Sequence, residues 1–212
     1  VVACLIKKGT LYTKKKIKKN LNTKFILRSD FIKIFIKLIP KKSKLISTTG
    51  YTSRELMEIR SRNKISNGKD FYMVGGMGHS SSVALGYALN SKKNIFCLDG
   101  DGAILMHLGS MRTIGYLKNE NLKHIVLNNN SHESVGGQTT TASGIDFKKL
   151  SKSLGYRHYL IINSKKNLKS KIKNFIKKKG PSLLEVKINS GSLDNLSRPK
   201  NLVKIKNKFM TN

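Results

Sequence analysis

The stretch that decides the fold is Asn94–Gly102, with the sequence NIFCLDGDG, in which an apolar run leads directly into alternating aspartates and glycines. A second stretch of the same kind, His124–Asn130 (HIVLNNN), follows later in the chain. Short apolar runs that end in glycine or polar residues indicate buried strands of a parallel sheet. The residues directly after such strands lie at the carboxyl edge of the sheet, where α/β proteins bind their ligands.

Strands and helices alternate on both sides of these two stretches. Further strands are predicted at Lys44–Thr48, Phe71–Val74, His158–Ile162 and Leu183–Ile188, and helices at Arg28–Ile39, Thr52–Arg62, Ser80–Leu89, Ile104–Leu117, Phe147–Leu154 and Leu168–Lys179. Ser29-Asp30 and Thr52 or Ser53 are the predicted caps of the first two helices. The alternation predicts an α/β fold: a doubly wound, mostly parallel sheet of about six strands with helices on both faces.

Four of the predicted strands are followed by loops whose residue types suit an anionic ligand and a metal ion. Loop Ser47–Ser53 places hydroxyls and a glycine at a helix start, which indicates an anion site or an ordinary helix cap. Loop Gly75–Ser82 combines glycines with Met77, a residue for core packing or for the support of a ring-shaped ligand. Asp101 lies between two glycines, and Asn128–Gln138 offers neutral amide oxygens; Mg²⁺ accepts both ligand types.

The spacing of the last two loops is the most specific feature of the chain. Asp101 lies in a Gly-Asp-Gly turn, 25 residues separate Gly102 from Asn128, and a pair of asparagines begins there. This arrangement resembles the cofactor motif of the thiamine-diphosphate-dependent enzyme family. Met77 lies 24 residues before Asp101, where the family has a bulky apolar residue. The resemblance implies thiamine diphosphate and Mg²⁺ as cofactors.

The resemblance also implies a role for each loop. Asp101, the Asn129 side chain and the Ser131 backbone carbonyl are the expected Mg²⁺ ligands. The other expected cofactor contacts are Gly50, Thr52, Ser53, Gly100, Gly102 and Ala103 around the diphosphate, and Gly75, Met77, Gly78 and His79 around the bent cofactor and its aminopyrimidine.

Longer strings narrow the resemblance to the phosphonopyruvate decarboxylases of this family. They are Thr48–Gly50 with Thr52–Leu56, Gly76–Ser82, Asp99–Ala103 with Met106-His107, and His132–Gln138. The resemblance implies decarboxylation of 3-phosphonopyruvate to phosphonoacetaldehyde and CO₂ in phosphonate biosynthesis. His132 and Glu133 are the candidate residues for proton transfer or phosphonate contact, although Glu133 has the alternative role of capping the helix after it. Thr139 departs from the family pattern, which has a proline there.

In this family a pyrimidine-binding domain precedes the diphosphate-binding domain and carries a glutamate that activates the cofactor. We expect residues 1–12, with a buried strand at Val1–Ile6, to be the last strand of such a domain. Residues 13–28 are then a linker, 29–190 the diphosphate-binding domain and 191–212 a basic tail. The other half of the site is expected from a longer chain or a partner subunit, within a homo-oligomer that acts on a small 2-oxo acid.

The net charge of +31 allows a second class of function. Residues 1–50 carry +13 and residues 164–212 carry +12, as in a nucleic-acid-binding module. However, Lys, Ile and Asn, whose codons are rich in A and T, make up 75 of 212 residues, while Arg, which reads bases, numbers 7 and Trp is absent. We therefore favour biased composition and expect no nucleic-acid partner, but the binding module remains an alternative.

Two further expectations concern the compartment and the substrate. The sequence contains no run of 18 apolar residues, so we expect no membrane partner, and its two cysteines are too few for a disulfide framework. These features predict a cytoplasmic protein. Within the enzyme class, the diphosphate-binding subunit of a sulfopyruvate decarboxylase and an acetolactate-synthase-like enzyme remain alternatives.

Overall fold

The computed structural model describes residues 2–7, 10, 22–63 and 70–211 of the chain. In order along the chain, its strands are β1 (Ile26–Leu27), β2 (Lys44–Ser47), β3 (Asp70–Tyr72), β4 (Ile95–Gly100), β5 (Leu122–Asn128), β6 (His158–Ile162) and β7 (Ser182–Asn189). Its α-helices are α1 (Arg28–Leu38), α2 (Tyr51–Arg62), α3 (Ser80–Leu89), α4 (Asp101–Met106), α5 (Gly109–Leu117), α6 (Phe147–Ser153), α7 (Leu168–Lys177) and α8 (Leu202–Thr211).

All pairings between these strands are parallel, in the order β1-β7-β5-β4-β2-β3, with β6 beside β7. The register of β4 on β5 pairs Asp99 with Val126 and Gly100 with Leu127. Both strands therefore end at one edge of the sheet, which brings the loops after them together. The predicted α/β fold with a doubly wound parallel sheet is confirmed, with seven strands in place of about six.

The hydrophobic core forms a layer on each face of the sheet. Along β4, Phe96 and Leu98 belong to the layer that contains residues of α1, α2 and α7. Ile95 and Cys97 alternate with them and belong to the other layer, with residues of α3, α5 and α6. Because successive side chains of a strand point to opposite faces, a continuous apolar strand such as this one supports helices on both sides.

The beginning of the chain differs from the prediction. Residues 2–7 adopt no regular secondary structure and are exposed, so the buried strand expected at Val1–Ile6 is wrong for these residues. The reason is that a strand needs a neighbour to satisfy its backbone groups, and no described strand pairs with this segment. The linker expected at 13–28 lies largely outside the described residues. Its end is wrong, because Ile26–Leu27 forms β1, with Ile26 paired to Ile188.

Several helix ends differ from the prediction by one or two residues, and one predicted helix and two predicted caps differ in kind. The helix expected at Ile104–Leu117 is two helices, because the chain leaves helical geometry at His107 (φ −143°, ψ 50°), which lies against the Gly78 backbone. The N-caps of α1 and α2 are Leu27 and Gly50, so the predicted caps lie inside the first turns instead.

The basic tail expected at 191–212 contains the unpredicted helix α8. Phe209 of this helix is 2% exposed and packs against the Phe71 and Tyr87 rings, with centroid separations of 5.5 and 4.8 Å. The buried Lys44 ammonium donates to the Phe209 carbonyl and lies 4.6 Å from the centre of the Phe209 ring. The tail therefore belongs in part to the core. No helix in the described part of the chain is long and apolar enough to cross a membrane.

Candidate functional site

Two adjoining cavities lie at the carboxyl edge of the sheet, where the four predicted loops meet. We call them the inner and outer cavities; they share Thr49, Met77 and Ser134. Of the predicted site residues, the inner cavity is lined by Thr52, Met77, Gly100, Asp101, Gly102, Ala103, Asn129, Ser131, His132 and Glu133, and the outer cavity by Gly50, Ser53, Gly75 and Met77. Gly78 and His79 line neither cavity.

The Asp101 side chain lies at the start of α4 and is almost completely buried. Its carboxylate accepts a hydrogen bond of 2.5 Å from the Thr140 hydroxyl, and the backbone of Asn129 and of Gly102 lies close enough to lower its pKa. Burial raises the pKa of the Asp101 carboxyl, and these contacts oppose that shift. The Asn129 backbone beside Asp101 brings the loops after β4 and β5 together.

The Asn129 side chain is oriented by hydrogen bonds at both ends of its amide. Its Nδ2 donates to Glu133 Oε2 at 3.1 Å, and its Oδ1 accepts from the Ser131 amide at 3.1 Å. The Glu133 carboxylate can only accept, so it fixes which end of the amide is the oxygen. If Asn129 binds a cation, it therefore does so through Oδ1, which lies on the Ser131 side.

The first loop contributes the N-terminus of α2. Its N-cap is Gly50 at φ 94°, and no side chain caps the first turn, so backbone amides and the positive end of the helix dipole lie beside the cavities. A Cβ on Gly50 would lie 2.7 Å from Ser134 Oγ, so glycine is needed both for the backbone angle and for the close approach. The Ser53 hydroxyl donates to the Thr48 carbonyl at 2.7 Å and is thus already engaged within the protein.

The His132 ring packs directly against the Gly-Asp-Gly turn. A Cβ added to Gly102 would lie 2.7 Å from His132 Nδ1 and 2.9 Å from Thr140 Cγ2, so only glycine leaves room for both side chains. Asp101 and His132 line the same cavity. The predicted candidate His132 therefore lies at the acidic end of the inner cavity.

A buried ion network, which the sequence did not reveal, supports Glu133. Arg28 donates to Glu55 Oε2 at 2.9 Å, to Glu133 Oε2 at 3.1 Å and to the Gly191 carbonyl at 3.0 Å. The Gly191 amide in turn donates to Glu133 Oε1. Both Glu133 oxygens are thus occupied by protein donors, an arrangement suited to positioning Asn129. Burial raises the pKa of Glu55, and the Arg28 charge opposes that shift.

The Gly75–Gly78 loop contributes an apolar side chain to both cavities. Met77 lines the boundary between them, whereas Gly78 is buried, with its Cβ position 3.0 Å from the Ala103 carbonyl. His79 is exposed and stacks on His107, with ring centroids 4.5 Å apart, outside both cavities. The structure therefore does not bring His79 together with the other predicted residues.

A second polar cluster lies beneath this edge, inside the core. His124 Nε2 is 3.2 Å from Asp99 Oδ2, and its Nδ1 is 2.9 Å from the Tyr156 hydroxyl. Cys97 lies beside them, and its ligand atom and those of Asp99 and His124 are all within 4.8 Å of one another. All three are completely buried. Asp99 Oδ1 accepts from the Gly100 amide at 3.0 Å, which supports the turn that carries Asp101.

The inner cavity fits a cation and an anionic group together. The Thr48 hydroxyl is buried there and has no hydrogen-bond partner within the described residues. A diphosphate oxygen at this position would satisfy that donor, and the α2 N-terminus would favour its charge. Asp101 and Asn129 supply the carboxylate and amide oxygens that a hard divalent cation accepts. The residues present therefore fit thiamine diphosphate with a divalent cation.

Comparisons with known proteins agree with this fit. Residues 48–186 match the family model described as thiamine pyrophosphate enzyme, C-terminal TPP binding domain. The chain is 40% identical to a phosphonopyruvate decarboxylase from Streptomyces viridochromogenes over 162 aligned residues. This alignment covers 76% of this chain and 40% of the relative. It is 36% identical over 129 residues to sulfopyruvate decarboxylase subunit beta from Methanocaldococcus jannaschii, covering 60% of this chain and 66% of the relative.

The fold is shared with a solved structure of much lower identity. The thiamine diphosphate-dependent 4-hydroxybenzoylformate decarboxylase from Rhodococcus jostii superposes with a TM-score of 0.64 at 18% identity, over 82% of this chain and 34% of that one. The chain thus spans about two fifths of the length of the phosphonopyruvate decarboxylase and one third of this structure.

Proposed function

Because the chain belongs to the thiamine pyrophosphate enzyme family, we propose that it forms the diphosphate- and Mg²⁺-binding half of a decarboxylase that acts on 3-phosphonopyruvate. The products would be phosphonoacetaldehyde and CO₂, and the reaction would belong to phosphonate biosynthesis in the cytoplasm. The observation that carries the proposal is that Asp101, Asn129 and Ser131, from the loops after β4 and β5, line one cavity at the carboxyl edge of the sheet.

The predicted site residues that line the cavities have the following roles in this proposal. Asp101, Asn129 Oδ1 and the Ser131 carbonyl would hold Mg²⁺, which would neutralise the charge of the diphosphate. Thr48, Thr52 and the first-turn amides of α2 donate to the diphosphate oxygens. Gly50, Gly75, Gly100, Gly102, Ala103 and Met77, which line the two cavities, would contact the bent cofactor, whereas Gly78 and His79 lie outside them.

The cofactor, when bound, supplies the electron sink that loss of CO₂ from a 2-oxo acid requires. The chain's own contribution is to bind and orient that group and to exclude water around it. His132 lies at the metal end of the cavity and remains the candidate for proton transfer. Glu133, whose oxygens accept from Arg28, Asn129 and the Gly191 amide, is better suited to orienting the Asn129 ligand.

The proposal requires a second, pyrimidine-binding domain with an activating glutamate, from the rest of a longer chain or a partner subunit. The site would then form between domains in an oligomer. The relative named as a beta subunit supports a partner subunit, and it also makes sulfopyruvate the second candidate substrate.

The test is a CO₂-release assay with thiamine diphosphate, Mg²⁺ and either 3-phosphonopyruvate, sulfopyruvate or pyruvate. The 212-residue chain alone is expected to be inactive, and the protein that includes the pyrimidine-binding domain is expected to turn over phosphonopyruvate fastest. Faster turnover of sulfopyruvate would favour the second candidate. Turnover of none of the three by the complete protein would overturn the proposal.

A further inference from the structure

We propose that the outer cavity binds the anionic group at the far end of the substrate, a phosphonate or sulfonate, through Arg54 and Arg198. This inference rests on the proposed function and adds the residues that select its substrate class. The outer cavity adjoins the inner one at Thr49, Met77 and Ser134, so a substrate that reacts at the cofactor can extend into it.

The arginines of the chain divide into two groups by their partners. Five of the seven donate to protein oxygens. They pair with carboxylates, except for one that donates to a backbone carbonyl; the five are Arg28, Arg60, Arg62, Arg112 and Arg157. The guanidinium groups of Arg54 and Arg198 have no hydrogen bond or ion pair with any described residue, and both side chains line the outer cavity.

The charges that these two arginines contribute to the outer cavity are not neutralised by a carboxylate in its described lining. No aspartate or glutamate is among the described residues that line the outer cavity. Arg54 lies in the first turn of α2, half-buried, with its guanidinium 5.6 Å from the centre of the Tyr51 ring. Arg198 is exposed and precedes the buried Pro199 in the segment between β7 and α8. Two unpaired guanidinium groups from distant segments thus share one cavity.

This arrangement suits a tetrahedral oxyanion on a short apolar carbon chain. A guanidinium offers parallel N–H donors that match two oxygens of a phosphonate or sulfonate. Met73, Val74 and Val135 line the same cavity and supply apolar contact for the methylene carbon. A 2-oxo acid without a second anionic group, such as pyruvate, would leave both arginines unpaired, so the cavity would discriminate against it.

The test compares single and paired variants of the complete enzyme, R54Q, R198Q and R54Q/R198Q. Each single change is expected to raise the KM for 3-phosphonopyruvate and for sulfopyruvate by about tenfold to a hundredfold, through loss of charge-assisted hydrogen bonds. The KM for pyruvate and the affinity for thiamine diphosphate are expected to remain unchanged. A larger effect on phosphonopyruvate than on sulfopyruvate would indicate a site adapted to the dianion.

The matched control is R112Q. Arg112 lies over the Tyr116 ring at 5.3 Å, much as Arg54 lies over Tyr51, but on α5 and outside both cavities. R112Q removes the same charge as R54Q, so a non-specific effect of net charge would appear equally in this variant. Because Arg198 is exposed, R198Q keeps the test valid if R54Q does not fold.

Two outcomes separate this inference from the proposed function. If the wild-type enzyme is active and the variants lose pyruvate and phosphonopyruvate turnover equally, or lose neither, the inference is overturned and the proposed function stands. If the wild type turns over no substrate, the proposed function fails, and calorimetry with phosphonoacetate decides the inference. Binding that is lost in R54Q/R198Q but kept in R112Q supports the anion site, and any other result overturns it.

Discussion

The substitution of Asp101 by asparagine separates two effects of the buried carboxylate: its effect on the stability of the ligand-free fold and its role in binding the cation. Asp101 is almost completely buried, and burial raises the pKa of its carboxyl, so the ionised group is unfavourable in the fold without a cation. Asparagine has the same shape and can donate to the Thr140 hydroxyl, whose hydrogen bond the carboxylate now accepts. We therefore expect D101N to change the free energy of unfolding without ligands by about 1 kcal/mol or less.

The response to ligands should change far more. At a ligand concentration 100 times the Kd, binding stabilises the wild-type fold by about 2.7 kcal/mol, which raises the Tm. D101N is expected to lose nearly all of this shift, because a neutral amide oxygen binds Mg²⁺ far more weakly than a negatively charged carboxylate. In the wild type the shift should also shrink as the pH falls toward the raised pKa of Asp101, since protons compete with the cation.

The assay is thermal unfolding with and without Mg²⁺ and thiamine diphosphate, in the complete protein. D146N is the matched control, because Asp146 caps α6 by accepting from the Lys148 and Lys149 amides, far from the cavities, and asparagine caps nearly as well. The reasoning is refuted if D101N keeps the ligand-induced shift, or if it loses several kcal/mol without ligands.

Three further predictions concern the support of the site and the core. E133Q is expected to raise the Mg²⁺ concentration needed for half-maximal cofactor binding by about tenfold, because Asn129 loses its oriented acceptor; an unchanged requirement would contradict the positioning role. F209A is expected to cost about 3–5 kcal/mol in urea unfolding, against about 0.5 kcal/mol or less for the exposed M210A, and equal costs would show that α8 is not docked as described. R60A breaks a buried pair with Asp70 at 2.7 Å and should cost about 3–5 kcal/mol at neutral pH. Burial raises the pKa of Asp70, and the Arg60 charge opposes that shift. The loss of unfolding free energy in R60A should therefore become smaller as the pH falls and Asp70 becomes protonated. A loss that does not change with pH would exclude this cause.

The elements that could be predicted from the sequence are those whose residue pattern lies within a single short stretch of the chain. Continuous apolar runs such as Ile95–Leu98 predict strands buried on both faces, and the residues after them predict the ligand edge because all these strands are parallel. The meeting of Asp101 with the Asn129 loop follows from the adjacency of β4 and β5, which the motif spacing implied. Local pattern and global topology agree at these positions.

The parts that sequence reasoning missed depend on contacts between distant segments. Arg28 binds Glu55, Glu133 and Gly191, and no periodic pattern links these positions in the chain. Helix α8 was hidden because its lysines resemble the rest of the basic tail, and its docking depends on Lys44 and Phe209. His79 lies in a promising motif but turns out to stack on His107, which only the bend between α4 and α5 brings near.

The most direct test of the account is the position of the divalent cation. Crystals of the protein grown with Mn²⁺ in place of Mg²⁺ and with thiamine diphosphate would locate the metal by its anomalous scattering. We predict one peak bonded to the Asp101 carboxylate and Asn129 Oδ1, at about 2.0–2.3 Å from each. A peak at the buried Cys97–Asp99–His124 cluster, with none beside Asp101, would contradict it.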